Sequence, residues 1–268
     1  MKILIGADPE IFVRNNEGKL ISAHKMIPGT KKEPHKVDKG AVQVDGMALE
    51  FNIEAADTAE VFRTNVTHVM SQMRSMIEHE FAIIPVAHFG TDYMKTQPEE
   101  ALELGCDPDF NAWIGEENPR PNGDRDFRTA AGHVHIGWKD PSLCLSGNGD
   151  MFDAARMARQ MDFFLGLPSI FFDSDTVRRE LYGKAGAFRP KPYGMEYRVL
   201  SNAWLTSASL IEWVFHAAHE GARQLLEDGK DLANDFGGDI QSIINQSKKE
   251  DALAIIHRYN LEVPLATA

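Results

Sequence analysis

With 268 residues, 43% of them hydrophobic and 25% charged, the chain is long enough for one large core or two modest ones, and no apolar run is long enough to span a bilayer. The 28 Lys and Arg against 40 Asp and Glu leave a formal net charge of -12, which disfavours general nucleic-acid binding, although a local group of cations and metal can still hold a polyanion such as a nucleotide. The two cysteines, Cys106 and Cys144, are too few for a disulfide framework and have no partner at metal-site spacing; together with an opening stretch that is interrupted at Asp8, they point to reduced thiols in a cytoplasmic protein.

Residues 2–14 read as a strand, and the Gly, Pro and Lys-rich stretch 25–40 reads as a surface loop. In AVQVDGMALEFNIEAA, two strand-like runs flank Asp45-Gly46, a dipeptide suited to a type I′ hairpin. Asp57, with Glu60 three residues on, predicts a capped helix to about Phe81, because Val61, Val66, Val69, Met70, Met73 and Ile77 recur at helical spacing. A short strand is expected over 83–89. Residues 98–128 carry little regular pattern and read as a long loop of the kind that is often functional. Further along, 130–138 is strand-like, 151–165 helical, 194–200 strand-like and 208–226 helical, with a helical tail after Asp235. Strands outnumber what alternating strand–helix units would supply, so an α+β antiparallel architecture is expected, as one catalytic domain over 1–268 whose C-terminal segment is helical from about 207.

Four of these strands carry polar or ionisable residues at i and i+2, a spacing that places them on one face of a sheet: Asp8/Glu10, Glu50/Asn52/Glu54, His133/His135 and Glu196/Arg198. Residues between them, such as Val134, Ile136, Tyr197 and Val199, are mostly apolar and suit packing on helices. Bringing so many carboxylates together without counter-charge would cost several kcal/mol per ion, roughly, and divalent cations remove that cost. Oxygen-rich donors with imidazole suit magnesium or manganese, and two or more ions are expected. In AAGHVHIG, Gly132 and Gly137 mark close approach by a ligand or backbone. Between Asp175 and Trp204, Arg178, Arg179, Lys184, Arg189, Lys191 and Arg198 stand among glycines, a composition able to grip phosphate.

The segments GADPEIFV, AVQVDGMALEFNIEAA, AAGHVHIG and LYGKAGAFRPKPYGMEYRVLSNAW, in this order, resemble the phage carboxylate-amine ligase family, which is related to glutamine synthetase and glutamate-cysteine ligase. The resemblance implies a glutamine-synthetase-like catalytic domain: a curved antiparallel sheet with helices on its convex face, and metal, ATP and the substrate carboxylate on its concave face. By position, Asp8 and Glu10 look like the acidic pair serving two metal sites, with Glu50 and Glu54 completing that of Glu10, and His133 and Glu196 joining Asp8. His135 would lie nearer the ATP phosphates, with Lys184 and Arg189, while Arg198, helped by Arg179 or Arg189, would steady the transferred phosphoryl group. Asp8 stands where glutamine synthetases carry a glutamate, and no segment resembles their ammonia-site loops, so ammonia is not the expected acceptor.

The implied activity is ATP-dependent ligation of a carboxylate to an amine through an acyl phosphate, with small-molecule or peptide substrates. No membrane partner is expected. A homo-oligomer is compatible with the rings that related synthetases form, and the location would be the host cytoplasm if the chain is phage-encoded. The alternatives are a metal-dependent hydrolase that uses the same acidic cluster on water, and a non-catalytic binding protein on the same fold.

Overall fold

Eleven residues of alternating character near the N-terminus make the central strand, β1 (Leu4–Arg14): Ile5, Ala7, Ile11 and Val13 point to a helical layer, while Asp8 and Glu10 point the other way. The computed structural model describes residues 2–102, 108–119, 125–139 and 150–264; Cys106 and Cys144 lie outside them. The further strands are β2 (Leu20–Ile21), β3 (His35–Val37), β4 (Gly40–Asp45), β5 (Ala48–Ile53), β6 (Glu80–Ala82), β7 (Val86–His88), β8 (Phe110–Asn111), β9 (Glu116–Glu117), β10 (Phe127–Thr129), β11 (Gly132–Gly137), β12 (Ala187–Lys191) and β13 (Gly194–Tyr197). Helices are α1 (Ala59–Arg74), α2 (Thr91–Lys95), α3 (Glu99–Leu102), α4 (Met151–Met161), α5 (Leu167–Ser169), α6 (Val177–Leu181), α7 (Ala208–Leu226), α8 (Leu232–Phe236), α9 (Ile240–Asn245) and α10 (Lys249–Tyr259).

One large antiparallel sheet runs in the order β3-β4-β5-β1-β11-β13-β12-β8-β9, with β2 and β6 paired to the far end of β1. A separate two-stranded ladder joins β7 to β10. Helix α1 lies on β4 and β5, α7 on β1 and β11, and α4 on β12 and β13, so one face of the sheet is covered by helices. Their shared core includes Phe51, Phe62, Val134, Met157, Met195, Tyr197 and Trp204, and extends to Ile240, Ile244, Ile255 and Ile256 of the C-terminal helices. The expected α+β antiparallel architecture is what the chain adopts. Among the described residues no helix is long and apolar enough to cross a membrane.

Several boundaries differ from the sequence-based expectation. Thr58, not Asp57, caps α1, its side chain accepting from the Val61 amide, and the helix stops at Arg74 because Glu80–Ala82 is drawn into the ladder of β1. The hairpin between β4 and β5 pairs Asp45 with Ala48, so its central residues are Gly46 and Met47; only Gly46 has positive φ (57°), the sign pattern of a type II′ and not a type I′ turn. The stretch 98–128 holds α3, β8 and β9 where a patternless loop was expected. Helix α7 spans the residues predicted for it, capped by Ser207. The helix expected over 151–165 widens after Met161 into a π-helical turn, Asp162–Gly166, where the buried Asp162 accepts from Tyr197 Oη (2.6 Å), Trp113 Nε1 (2.6 Å) and the Gly186 amide (3.1 Å). That carboxylate ties the helical layer to β12 and β13.

Candidate functional site

Directly opposed residues in an antiparallel ladder share a face. The register pairs Asp8 with His133, Glu10 with Glu50, His135 with Glu196, and Glu196 with Arg189, so chemistry-bearing residues from five strands meet on the face away from the helices. They line one cavity of about 1000 Å³, which Phe12, Gln43, Asp45, Asn52, Arg128, Arg178, Tyr182, Lys191 and Tyr193 also border.

Two groups of acids stand side by side within it. In the first, His135 Nε2 lies 2.9 Å from Asp8 Oδ1, and His133 Nδ1 lies 3.5 Å from Asp8 Oδ1 and 3.4 Å from Glu196 Oε1. Arg198 Nη1 and Lys191 Nζ (2.8 Å) contact Glu196, as does Arg189 Nη1 at 3.3 Å, while Arg198 Nε is fixed by Asp109 Oδ2 at 3.0 Å. Tyr193 hydrogen-bonds His135 Nδ1. The second group joins Glu10, whose carboxylate accepts from the Ala131 amide (2.7 Å), to Glu50, which accepts from Gln43 Nε2 (2.6 Å).

Charge separates the two groups. Burial alone would raise the Asp8 carboxyl, but the charge of His135 and the close approach of both imidazoles hold it below the usual carboxylate range. Glu196 is likewise penalised by burial, yet Arg198, His133, His135 and Lys191 keep it well below its ordinary value. Burial, then Asp45, pushes Glu10 up to about 7, and Glu50 is raised well above its ordinary value by burial and by Asp8 and Glu10. His133 falls to about 4 through burial and Arg198, whereas Asp8 outweighs burial to raise His135.

These residues fit a divalent cation. Among the described residues, Asp8, His135 and Glu196 each offer a ligand atom, all within 4.8 Å of one another. Asp8 Oδ1 and His135 Nε2, though 2.9 Å apart, are buried out of hydrogen-bond alignment and thus lack a hydrogen bond. Among the described residues, Glu10 and Glu50 face each other with no cationic side chain in contact, a second place that a positive charge would suit. The oxygen and imidazole donors suit magnesium or manganese.

Of the residues predicted from sequence, Asp8, Glu10, Glu50, His133, His135, Glu196, Arg189 and Arg198 come together here. His135 replaces His133 in the tightest ligating trio. Three do not join. Glu54 follows the last residue of β5 and pairs with Lys39 at 3.5 Å in solvent, because the strand ends at Ile53. Arg179 is buried behind the site on Asp173 O, Asp175 O and Ser247 Oγ; one helical step of about 100° turns it away and presents Arg178 to the cavity instead. Lys184 does not line the cavity, since the chain turns through Ala185 and Gly186 before β12. Gln43, Asp45 and Tyr193 belong to the site but carried no motif; only the alternation of β4 placed Gln43 and Asp45 on a common face.

No curated protein matches the chain. Residues 129–237 match the model of a family described as phage phiEco32-like COOH.NH2 ligase-type 2, and that span contains His133, His135, Arg189, Glu196 and Arg198. Over this segment, which includes Glu196 and the cations around it, the chain is similar to the phage COOH.NH2 ligase-type 2 family.

Proposed function

We propose that the chain is an ATP-dependent carboxylate-amine ligase that forms an amide through an acyl phosphate, on a sheet related to that of glutamine synthetase. The observation that carries the reading is the union, in one cavity, of two buried acid groups and a guanidinium–ammonium cluster around Glu196. Asp8, His135 and Glu196 would hold one divalent ion, and Glu10 with Glu50 a second; bound there, such ions neutralise phosphate oxygens.

In the first step a carboxylate oxygen of the substrate attacks the γ-phosphorus of ATP, the bond to the bridging oxygen breaks, and ADP leaves. In the second, the amine nitrogen attacks the acyl carbon, phosphate departs and the nitrogen loses a proton. The chain's part is positioning and charge. Arg198 is held from two sides, by Asp109 and Glu196, so its remaining donors are preorganised toward charge that develops on the transferred group. Arg189 and Lys191 add positive charge beside it. A cytoplasmic location and assembly into a homo-oligomer accompany this proposal.

Calorimetric titration with ATP tests it, first in magnesium and then in chelator, for the wild type and Glu196→Ala. Metal-dependent binding that the variant loses supports ligase chemistry and directs a search for carboxylate and amine pairs that release phosphate. Absence of binding in magnesium moves the reading to a metal-dependent hydrolase, in which the same acids would act on water.

A further inference from the structure

Away from Glu196, the cavity wall contains two buried guanidinium groups that no carboxylate of the described residues contacts. Arg128, on β10, is 8% exposed and Arg178, on α6, is 2% exposed. Arg128 spends Nη1 on the carbonyls of Arg125 (3.0 Å) and Phe127 (2.9 Å) and Nη2 on that of Leu102 (3.1 Å), which leaves its buried Nε without a partner. Arg178 donates to the carbonyls of Val199 (2.6 Å) and Arg198 (3.0 Å). Among the described residues neither is in ion-pair contact; Glu10 and Asp173 act on Arg178 only at longer range. The hydroxyl of Tyr182, in the same wall and within electrostatic reach of Arg128, is also buried without a hydrogen-bond partner.

Buried cations without counter-ions are costly, and buried donors without acceptors add to that cost. Such a set is relieved by an anion. Because most Nη donors are committed to backbone carbonyls, few directed bonds remain, principally Arg128 Nε and Tyr182 Oη. That number suits a single carboxylate better than a polyphosphate, for which Arg189, Lys191 and Arg198 are gathered around Glu196.

We propose that Arg128, Arg178 and Tyr182 form a carboxylate subsite, so that the substrate class is a molecule with two carboxylates: one that reacts, and a second that docks at this wall. The binding of the second carboxylate stands on the wall alone; only the role of the first rests on the ligase reading. Both functions would be served by a dicarboxylate, or by an amino-acid or peptide derivative that retains a free carboxylate.

The experiment uses the full chain in magnesium without nucleotide. Binding of succinate and glutarate is followed by calorimetry and by the thermal unfolding midpoint, with the corresponding diamides as neutral controls and inorganic phosphate as competitor. Saturable binding of a dicarboxylate is expected, weakened about tenfold by Tyr182→Phe and by Arg128→Lys, with the diamides inert. Tyr182→Phe removes only an unpartnered hydroxyl, so its ligand-free midpoint should equal or exceed that of the wild type, which separates lost binding from lost folding. No saturable binding of either dicarboxylate, equal binding by the variants, or displacement by phosphate at equal affinity overturns the proposal. Magnesium-ATP binding, measured on the same samples, is independent: a wild type that binds dicarboxylate through Tyr182 but not ATP keeps this subsite and loses the ligase reading.

Discussion

Asp8 and Glu10 are two residues apart on one strand and equally enclosed, yet their neighbours drive them in opposite directions. Asp8 meets two imidazoles and stays ionised; Glu10 lacks such a partner, and burial, then Asp45, pushes it up to about 7. A carboxyl whose folded-state value lies above its ordinary 4.5 binds protons more tightly when folded, so its contribution to stability is present at low pH and is lost as pH rises from about 4.5 to about 7. In chelator, the wild type should therefore lose stability relative to Glu10→Gln across that window, by as much as about 3 kcal/mol, measured by urea unfolding at a series of pH values. Divalent metal should flatten the difference. Glu50 and Glu54 provide a second contrast: Glu50→Ala should abolish metal-dependent ATP binding, whereas Glu54→Ala, which removes an exposed pair with Lys39, should leave it within twofold or so and change stability by less than about 1 kcal/mol. Equal loss in both variants would return Glu54 to the site.

At the scale of elements, the strands that bear the site are braced from behind by the 3₁₀ turn Asn202–Thr206. Asn202 Nδ2 donates to the Glu10 carbonyl (2.9 Å), and Trp204 Nε1 donates to that of Gly132 (3.0 Å), so one turn holds β1 and β11 together at the level of the acids. Gly132 is required by that approach: a Cβ there would meet Ser201 O at 2.2 Å and Trp204 Nε1 at 2.3 Å. Gly132→Ala should destabilise the protein by about 1–3 kcal/mol or more and weaken metal binding, because the shift passes directly to His133. Thermal unfolding with and without manganese checks both effects; a neutral Gly132→Ala would mean that the turn can move freely.

For the whole molecule, the formal charge of -12 and the enclosed carboxylates together set a repulsion that bound divalent ions would relieve. Magnesium or manganese should raise the unfolding midpoint saturably, adding about 2.7 kcal/mol at a hundredfold excess over the dissociation constant. Glu196→Gln should reduce this response and chelator should reverse it. Sodium chloride at equal ionic strength should do much less, since screening acts on exposed charges and little on buried ones. A response that sodium reproduces would place the effect on the outer surface instead of in the cavity.

By itself the sequence determined that Asp8 and Glu10, His133 and His135, and Glu196 and Arg198 share faces, because the two-residue period of a strand is a local property of the backbone. Helix α7 was equally legible, with Ser207 at its start and an apolar stripe along its length. Which strands adjoin, and in what register, was decided only in three dimensions: the pairing of Glu10 with Glu50 and of Glu196 with His135 joins residues far apart in the chain. The tertiary structure also ended β5 before Glu54, chose Arg178 over Arg179, drew Glu80–Ala82 into the sheet and brought Arg128 from an unpatterned stretch to the cavity wall. Strand ends, ladder register and the rotation of a short helix depend on what packs against them, and those partners are set by the collapsed chain as a whole.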